Sequence, residues 1–393
     1  MSTVTDTQMA TRLVKERAGL GGFDLVRVTT AEEFVADREV ALKRIEQGLM
    51  DGLPWYNPAR VTRGTSPQEL VPGARSIICL GLNYFTEDQG HADSDAGDHH
   101  YHEGVSPLVG KIARYARGRD YHRVMKRKMK ALVEDLSQQF GAEISARWYV
   151  DDGPMLDRAA AARAGLGWFG KNTNILSSEL GSWLFLGQII TDLELEPDTP
   201  VKKTCGNCVS CIDACPTGAI VAPYVIDNVR CISYQTIENR GPIPRAIRPL
   251  MLDWVFGCDI CQEVCPVNRK ETPAREPEFG RRGLAFADLI GLLDLTEEQF
   301  RARFAGTPIM RARHTGMQRN ACVALGNLKN PDAVPALAGA LAAGVPLVRS
   351  HAAWALGETG NEAAIAALQE ALAKEMEPEV LEEISLALGK CPA

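Results

Sequence analysis

The sequence predicts a three-part chain: mixed α/β at its N-terminus, a small cysteine-built module in the middle, and all-α repeats at its C-terminus. Three observations carry this reading. Short β-branched runs alternate with helical periodicity over residues 1–195. Eight of the 11 cysteines fall between Cys205 and Cys265. From residue 286 the composition shifts toward Ala and Leu, in tandem units. At 393 residues and 45% hydrophobic, the chain is long enough for two or three domains.

The N-terminal stretch MSTVTDTQMATRLVKERAG is polar and lacks an apolar h-region, so no secretory signal is expected. No apolar run reaches the length of a membrane span. ATRLVKERAGLGGFDLVRVTT reads as a helix running into a strand, and ARSIICLGLNYF as a strand that begins after the breaker VPG. Between Phe85 and Gly104 the chain is polar, acidic and aperiodic. A loop is expected there. Its His91, His99, His100 and His102 could be taken for ligands, but nothing fixes their geometry. A helix (YHRVMKRKMKALVEDLSQQFG), a strand (ISARWYVDDGP), a second helix, a Gly-rich loop and an apolar strand complete a layered α/β domain over 1–195. The Gly-rich GLGWFGKNT, Gly165–Thr173, follows a helix and so lacks the strand context of a dinucleotide fingerprint. Its glycines allow either the close approach of a bulky ligand or merely a tight turn.

Cys205, Cys208, Cys211 and Cys215-Pro216 repeat the bacterial ferredoxin spacing, in which the fourth Cys ligates the other cluster. Three thiolates on a tight loop hold three corners of a cubane, and the chain then carries the fourth to a neighbouring cluster. By that rule Cys205, Cys208, Cys211 and Cys265 hold one [4Fe-4S] cluster. Cys258, Cys261, Cys215 and the isolated Cys231 hold the second, in a ferredoxin-like double [4Fe-4S] cluster domain over 196–285. The alternative of two structural zinc sites uses Cys-x2-Cys pairs but fits the repeated Cys-Pro spacing poorly. Clustered thiols without a sign of export point to metal ligation in a reducing cytoplasm rather than to disulfides. Cys79, Cys322 and Cys391 read as bystanders.

In the C-terminal part, 286–393, Leu325-Gly326 and Leu356-Gly357 correspond at a period of 31, each in a unit of two helices. This is a HEAT-like all-α array, short for the type but right in kind. The net charge is -7, yet Lys111–Lys130 holds nine Lys/Arg against one Asp, and 301–356 holds seven against Asp332 alone. Such runs suit a phosphate backbone, although basic helix faces are common without one.

At this point VDDGPMLDRAAAARAGLGWFGKNTNIL, GSWLFLGQIITDL, CISYQTIE, GCDICQEVCPVN and the repeats beginning QRNA together resemble the epoxyqueuosine reductase family, over about residues 20–375. The resemblance implies two [4Fe-4S] clusters and a cobalamin, which reduce the epoxide of epoxyqueuosine at the tRNA wobble position to queuosine. This is the last step of queuosine biosynthesis. It implies Asp151, the Asp of the Val-Asp-x-(Gly/Ala)-Pro motif, as the proton donor, with Asp152 at a variable position. Gly165, Gly167, Trp168, Gly170, Lys171, Asn172 and Thr173 become candidates for the cofactor, and Arg311, Arg313 and Arg319 for RNA. No Asp-x-His-x-x-Gly is present, so cobalamin is expected without a protein imidazole below its cobalt. The expected partners are a tRNA with a GUN anticodon and an external low-potential electron donor, for a cytoplasmic monomer. A corrinoid dehalogenase is a weaker rival, since that class usually carries an export signal. A pure electron carrier is the non-catalytic one.

Overall fold

The computed structural model describes residues 6–87, 108–280 and 284–391; His91, His99, His100 and His102 lie outside them. The chain divides into two compact units, Met1–Glu87 with Arg119–Val229 and Ile260–Arg281, and Asp88–Gly118 with Arg230–Asp259 and Arg282–Ala393. No helix among the described residues is long and apolar enough to cross a membrane.

The first unit is built on a four-stranded antiparallel sheet in the order Leu25–Thr30, Ser76–Asn83, Leu184–Thr191, Ala146–Tyr149. Ser76–Asn83 is buried at every position, as a run of SIICLGLN requires when helices cover both faces of a sheet. On one face lies the helix Tyr121–Phe140. Its Val124, Met125, Met129, Leu132 and Leu136 form the buried stripe, Asp120 caps its start by accepting from His122 N–H, and Gly141 closes it at φ 63°. This helix lies so close to the sheet that a Cβ on Gly187 would press on Met125 and Met129. The other face takes Ala159, Ala160, Ala161 and Ala164 of the next helix region against Ile77, Cys79 and Ile190. Small side chains there let the short helix Asp157–Arg163 sit down on the strands. The expected layered α/β arrangement is present, with strands that are all antiparallel.

The second unit holds a three-stranded sheet in which Val109–Ile112 pairs in parallel with Trp254–Phe256 and antiparallel with Phe286–Asp288. That pairing draws residues 230–259 into the same unit as the repeats. The repeat helices are Arg313–Leu328, Val334–Ala343, Pro346–Thr359, Glu362–Leu372 and Pro378–Lys390. Glycine marks each seam. A Cβ on Gly326 would meet Trp354 Cζ3 at 2.6 Å, and one on Gly357 would meet Ala387 Cβ at 2.7 Å. Leu388-Gly389 repeats the same dipeptide on the next helix, a third copy that the sequence reading missed; nothing lies within 4 Å of a Cβ placed on Gly389.

Candidate active site

The strand Ala146–Tyr149 runs into the turn Val150-Asp151-Asp152-Gly153-Pro154, and neighbouring elements pin that turn. A Cβ on Gly64 would collide with the Pro154 carbonyl, a Cβ on Gly153 would collide with the Tyr149 ring, and the Arg60 guanidinium donates to the Gly153 carbonyl. Asp151 itself lies at φ 54°, in the left-handed region that non-glycine residues rarely occupy. Its exposed carboxylate accepts from the Tyr121 hydroxyl at 2.7 Å, and its backbone N–H points at Asp157 Oδ1, 3.5 Å away. Tyr121 sits at the first position of its helix with its ring stacked on Phe185, centroids 4.3 Å apart and planes within 1°. The hydroxyl is therefore held in place by a buried aromatic stack. Asp152 behaves differently: it pairs with Lys126 and accepts from Val150 N–H. Burial, with the Asp151 charge beside it, pushes the Asp157 carboxyl up to about 7.

The Gly-rich stretch is a β-hairpin, Trp168–Phe169 against Ile175–Leu176. Its glycines face the chain itself. A Cβ on Gly165 would collide with the Thr199 carbonyl, one on Gly167 with the Leu176 carbonyl, and one on Gly170 with Asn172 Oδ1. The close approach they permit is that of the hairpin's own surroundings, which favours the tight-turn reading of Gly165, Gly167 and Gly170. Lys171 and Asn172 are buried and serve the cysteine loops: Lys171 Nζ donates to Gly206 O at 2.8 Å, and Asn172 Nδ2 to Cys261 O at 3.1 Å. Thr173, at φ 66°, accepts from Arg158 through its hydroxyl. Trp168 is the exception in the stretch, because its indole N–H is buried with no hydrogen-bond partner among the described residues.

Six of the eight clustered cysteines lie in the first unit. Cys211 is buried, and its thiol is pushed up first by burial and then by the charges of Cys205, Cys265 and Cys208. Burial likewise raises Cys265, with Cys205 and Cys208 adding to it. The charges of Cys205 and Cys208 thus bear on both Cys211 and Cys265. A hydrogen bond from Ser210 pulls the exposed Cys208 thiol down, helped by Lys171 and Arg269. Cys215 Sγ accepts from Ala219 N–H at 3.3 Å. Of the second set, Cys215 and Cys261 belong to the first unit, and Cys231 and Cys258 to the second. No three His, Cys, Asp or Glu among the described residues are gathered to hold a single metal ion. Cys79 and Cys322 are fully buried bystanders, and burial raises both thiols, Cys322 to about 12.

The RNA candidates separate. Arg319 is 1% exposed, and its guanidinium donates to the carbonyls of Asn239, Gly241 and Gln235 and to Asn320 Oδ1. It is a tie within the second unit and unavailable to a phosphate, contrary to the sequence reading. Arg311 forms a two-point ion pair with Glu238, both contacts at 2.8 Å. Arg313 is exposed and makes no ion pair among the described residues; it lines a cavity of about 500 Å³ together with Arg240, Arg301 and His314. The basic run 111–130 is largely neutralised inside the fold, through Lys111–Asp253, Lys126–Asp152, Lys128–Glu276 and Arg127–Glu278.

Three family models match this chain: epoxyqueuosine reductase QueG over residues 65–152, the 4Fe-4S double cluster binding domain over 204–268, and HEAT repeats over 307–389. The first ends on the Asp151 turn, and the second encloses all eight clustered cysteines. An epoxyqueuosine reductase of Synechocystis sp. is 45% identical over 293 residues, 72% of this chain and 95% of the relative. The crystal structure of an epoxyqueuosine reductase with an epoxyqueuosine-modified tRNA-Tyr stem loop superposes with a TM-score of 0.88 at 32% identity, covering 97% of this chain and 98% of that one. A Bacillus subtilis epoxyqueuosine reductase, described with its aspartate-bearing catalytic loop swung out of the active site, gives 0.88 at 31%, covering 98% and 99%. With the turn, the cysteine set and the repeat seams all falling inside these matches, the chain belongs to the epoxyqueuosine reductase family and is an oxidoreductase.

Proposed function

We propose that this chain reduces the epoxide of epoxyqueuosine in a GUN-anticodon tRNA to the alkene of queuosine, with Asp151 as proton donor and electrons passed through two [4Fe-4S] clusters to cobalamin. The carrying observation is the Asp151 turn. Of two adjacent aspartates, one is neutralised by a lysine, while the other is held in a strained backbone conformation with its carboxyl exposed and fixed by a tyrosine hydroxyl. Strain of this kind persists only where the surroundings over-determine it, and it concentrates at functional sites. The relative whose catalytic loop carries an aspartate supports the same role here.

The donor sets fit the cofactors. Thiols at ferredoxin spacing without an imidazole among them suit an iron–sulfur cluster, and the hydrogen bonds to Cys208 and Cys215 are of the kind that tune such clusters. Cys205, Cys208, Cys211 and Cys265 would hold one cluster; Cys215, Cys231, Cys258 and Cys261 the other. For cobalamin, the orphaned indole N–H of Trp168 fits a cofactor fringed with amide carbonyls. Bound cobalamin would supply the low-potential cobalt chemistry that opens a carbon–oxygen bond. The chain's own part is to orient and to move protons. Loss of the epoxide oxygen as water breaks two C–O bonds, forms one C=C bond, and takes two electrons from the external donor and two protons. Asp151 gives a proton to the departing oxygen, and Tyr121 holds the carboxyl in place for it. For RNA, Arg313 is the candidate that makes no ion pair among the described residues, and the stem-loop complex of the relative supports tRNA as the substrate.

The test is reconstitution: protein with its clusters, cobalamin, a strong reductant and an epoxyqueuosine-bearing stem loop, with the nucleoside followed by mass. Loss of one oxygen, abolished when cobalamin is left out, is expected. Product formed at the same rate without cobalamin would end the cobalamin reading.

A further inference from the structure

The first repeat helix, Arg313–Leu328, buries two polar residues in the middle of its apolar face. Arg319 and Asn320 are 1% and 0% exposed, beside the buried Met317, Ala321 and Cys322. An asparagine inside a buried helix is costly unless its donors and acceptor are all met. Resting on the reading of Cys231 and Cys258 as ligands of the second cluster, we infer that Asn320 is a positioning residue for that cluster. It holds together the two ligand-bearing segments of the second unit.

The amide uses both donors and its acceptor. Nδ2 donates to Thr236 O at 2.8 Å and to Val255 O at 2.9 Å, and Oδ1 accepts from the Arg319 guanidinium at 2.8 and 3.1 Å. Both carbonyls are of the kind that local structure leaves over. Thr236 lies in the last turn of Ile232–Ile237, and the final carbonyls of a helix find no partner within it. Val255 lies on Trp254–Phe256, an edge strand of its sheet.

Each segment leads directly to a cysteine. Cys231 opens Ile232–Ile237 and its carbonyl accepts Gln235 N–H at 3.0 Å, while Arg319 donates to Gln235 O at 2.6 Å. Cys258 is separated from Trp254–Phe256 by Gly257 alone, and its neighbours are tied on both sides. Gly257 N–H donates to Thr236 Oγ1 at 2.9 Å, and Asp259 Oδ2 accepts Arg114 N–H at 2.7 Å. Gly257 lies at φ 69°, and a Cβ there would meet Ala113 Cβ at 2.5 Å. Thr236 is the junction: its carbonyl takes Asn320, and its hydroxyl takes the residue before Cys258. A hydrogen-bonded shell that orients ligating side chains in this way typically affects metal retention by about 10–100-fold. Were Asn320 only a packing residue of the repeats, its loss would lower stability without choosing between the clusters.

Asn320→Asp tests this, because it keeps the oxygen that serves Arg319 and removes both donors. Thr236→Val is the milder second variant, which removes only the hydroxyl tie to Gly257. Asn327→Asp is the control: on the same helix, Asn327 donates to Arg248 O at 2.8 Å and Leu252 O at 2.7 Å, neither of which adjoins a cysteine. Reconstituted holoprotein is exposed to the iron chelator bathophenanthroline, release is timed, and the reduced clusters are followed by electron paramagnetic resonance. Cys231→Ser identifies the second cluster's signal. Expected for Asn320→Asp and Thr236→Val is loss of that signal about 10–100-fold faster than in the wild type, with the first cluster released at its wild-type rate. Asn327→Asp should lower Tm and keep both clusters. Wild-type release from Thr236→Val and from any folded Asn320→Asp protein overturns the inference, as does equal acceleration of both clusters or the same selective loss in Asn327→Asp. If Asn320→Asp does not fold, Thr236→Val decides alone. If Cys231→Ser itself retains both clusters, the fault lies with the ligand partition, and the inference falls with it.

Discussion

Replacing Arg319 by methionine removes a buried guanidinium that serves four acceptors, and the structure sets the scale of the damage. The carbonyls of Asn239 and Gly241 each lose a donor at 2.8 Å and that of Gln235 one at 2.6 Å. A buried acceptor left unpaired costs about 1–3 kcal/mol. Two of the three bonds are only partly buried, so water recovers part of that loss. A second offset comes from the charge. Burial, with Arg240 nearby, holds the Arg319 guanidinium down to about 10, so an apolar side chain relieves a desolvation penalty. The net loss is about 2–4 kcal/mol, or roughly 5–15 °C in Tm for a unit of about 150–250 residues. The assay is thermal unfolding beside stem-loop binding over a salt series. A side chain that touched phosphate would instead shallow the log-affinity against log-salt slope by about 0.7–0.9. An Arg319→Met protein with unchanged Tm and a shallower slope refutes the structural role assigned here and restores Arg319 to the RNA surface.

Anaerobically purified protein should carry about eight irons and eight sulfides per chain, the sum for two cubanes; Cys231→Ser should lose one cluster's worth of both, whereas equal loss of the two clusters contradicts the ligand partition. Lys171→Met takes a cation and a hydrogen bond from the Cys205–Cys208 loop, and the redox-titrated midpoint of that cluster should fall by tens of mV, on the order expected for one charge at partly screened range. An unchanged midpoint would mean that Lys171 acts on the fold alone.

Much of this was legible in the sequence because the relevant signals are local. Ferredoxin spacing is a rule about a dozen residues, and it picked out the segment that the double-cluster family model matches, 204–268. The repeat period marked Gly326 and Gly357, both of which proved to be helix seams. What failed was long-range. Whether Arg319 points outward depends on backbone carbonyls some 80 positions earlier, which no helical periodicity encodes. The basic run 111–130 meets acids as distant in sequence as Glu276 and Glu278, so its charge count overstated its reach. The spacing of the glycines in Gly165–Thr173 leaves room for a ligand or a tight turn, and only the fold shows that their neighbours are Thr199, Leu176 and Asn172 of the chain itself.

The central claim is that Asp151 delivers the proton that lets the oxygen leave, and single turnover tests it most directly. Enzyme loaded with clusters, cobalamin and reductant is mixed with epoxyqueuosine stem loop, and the nucleoside is followed by mass for Asp151→Asn and Asp152→Asn against the wild type. The account predicts that Asp151→Asn binds the stem loop and both cofactors as the wild type does but loses oxygen about 10²-fold more slowly or worse, while Asp152→Asn, which gives up only the exposed pair with Lys126, stays within a few-fold. Wild-type turnover by Asp151→Asn, with Asp152→Asn impaired or not, would contradict it.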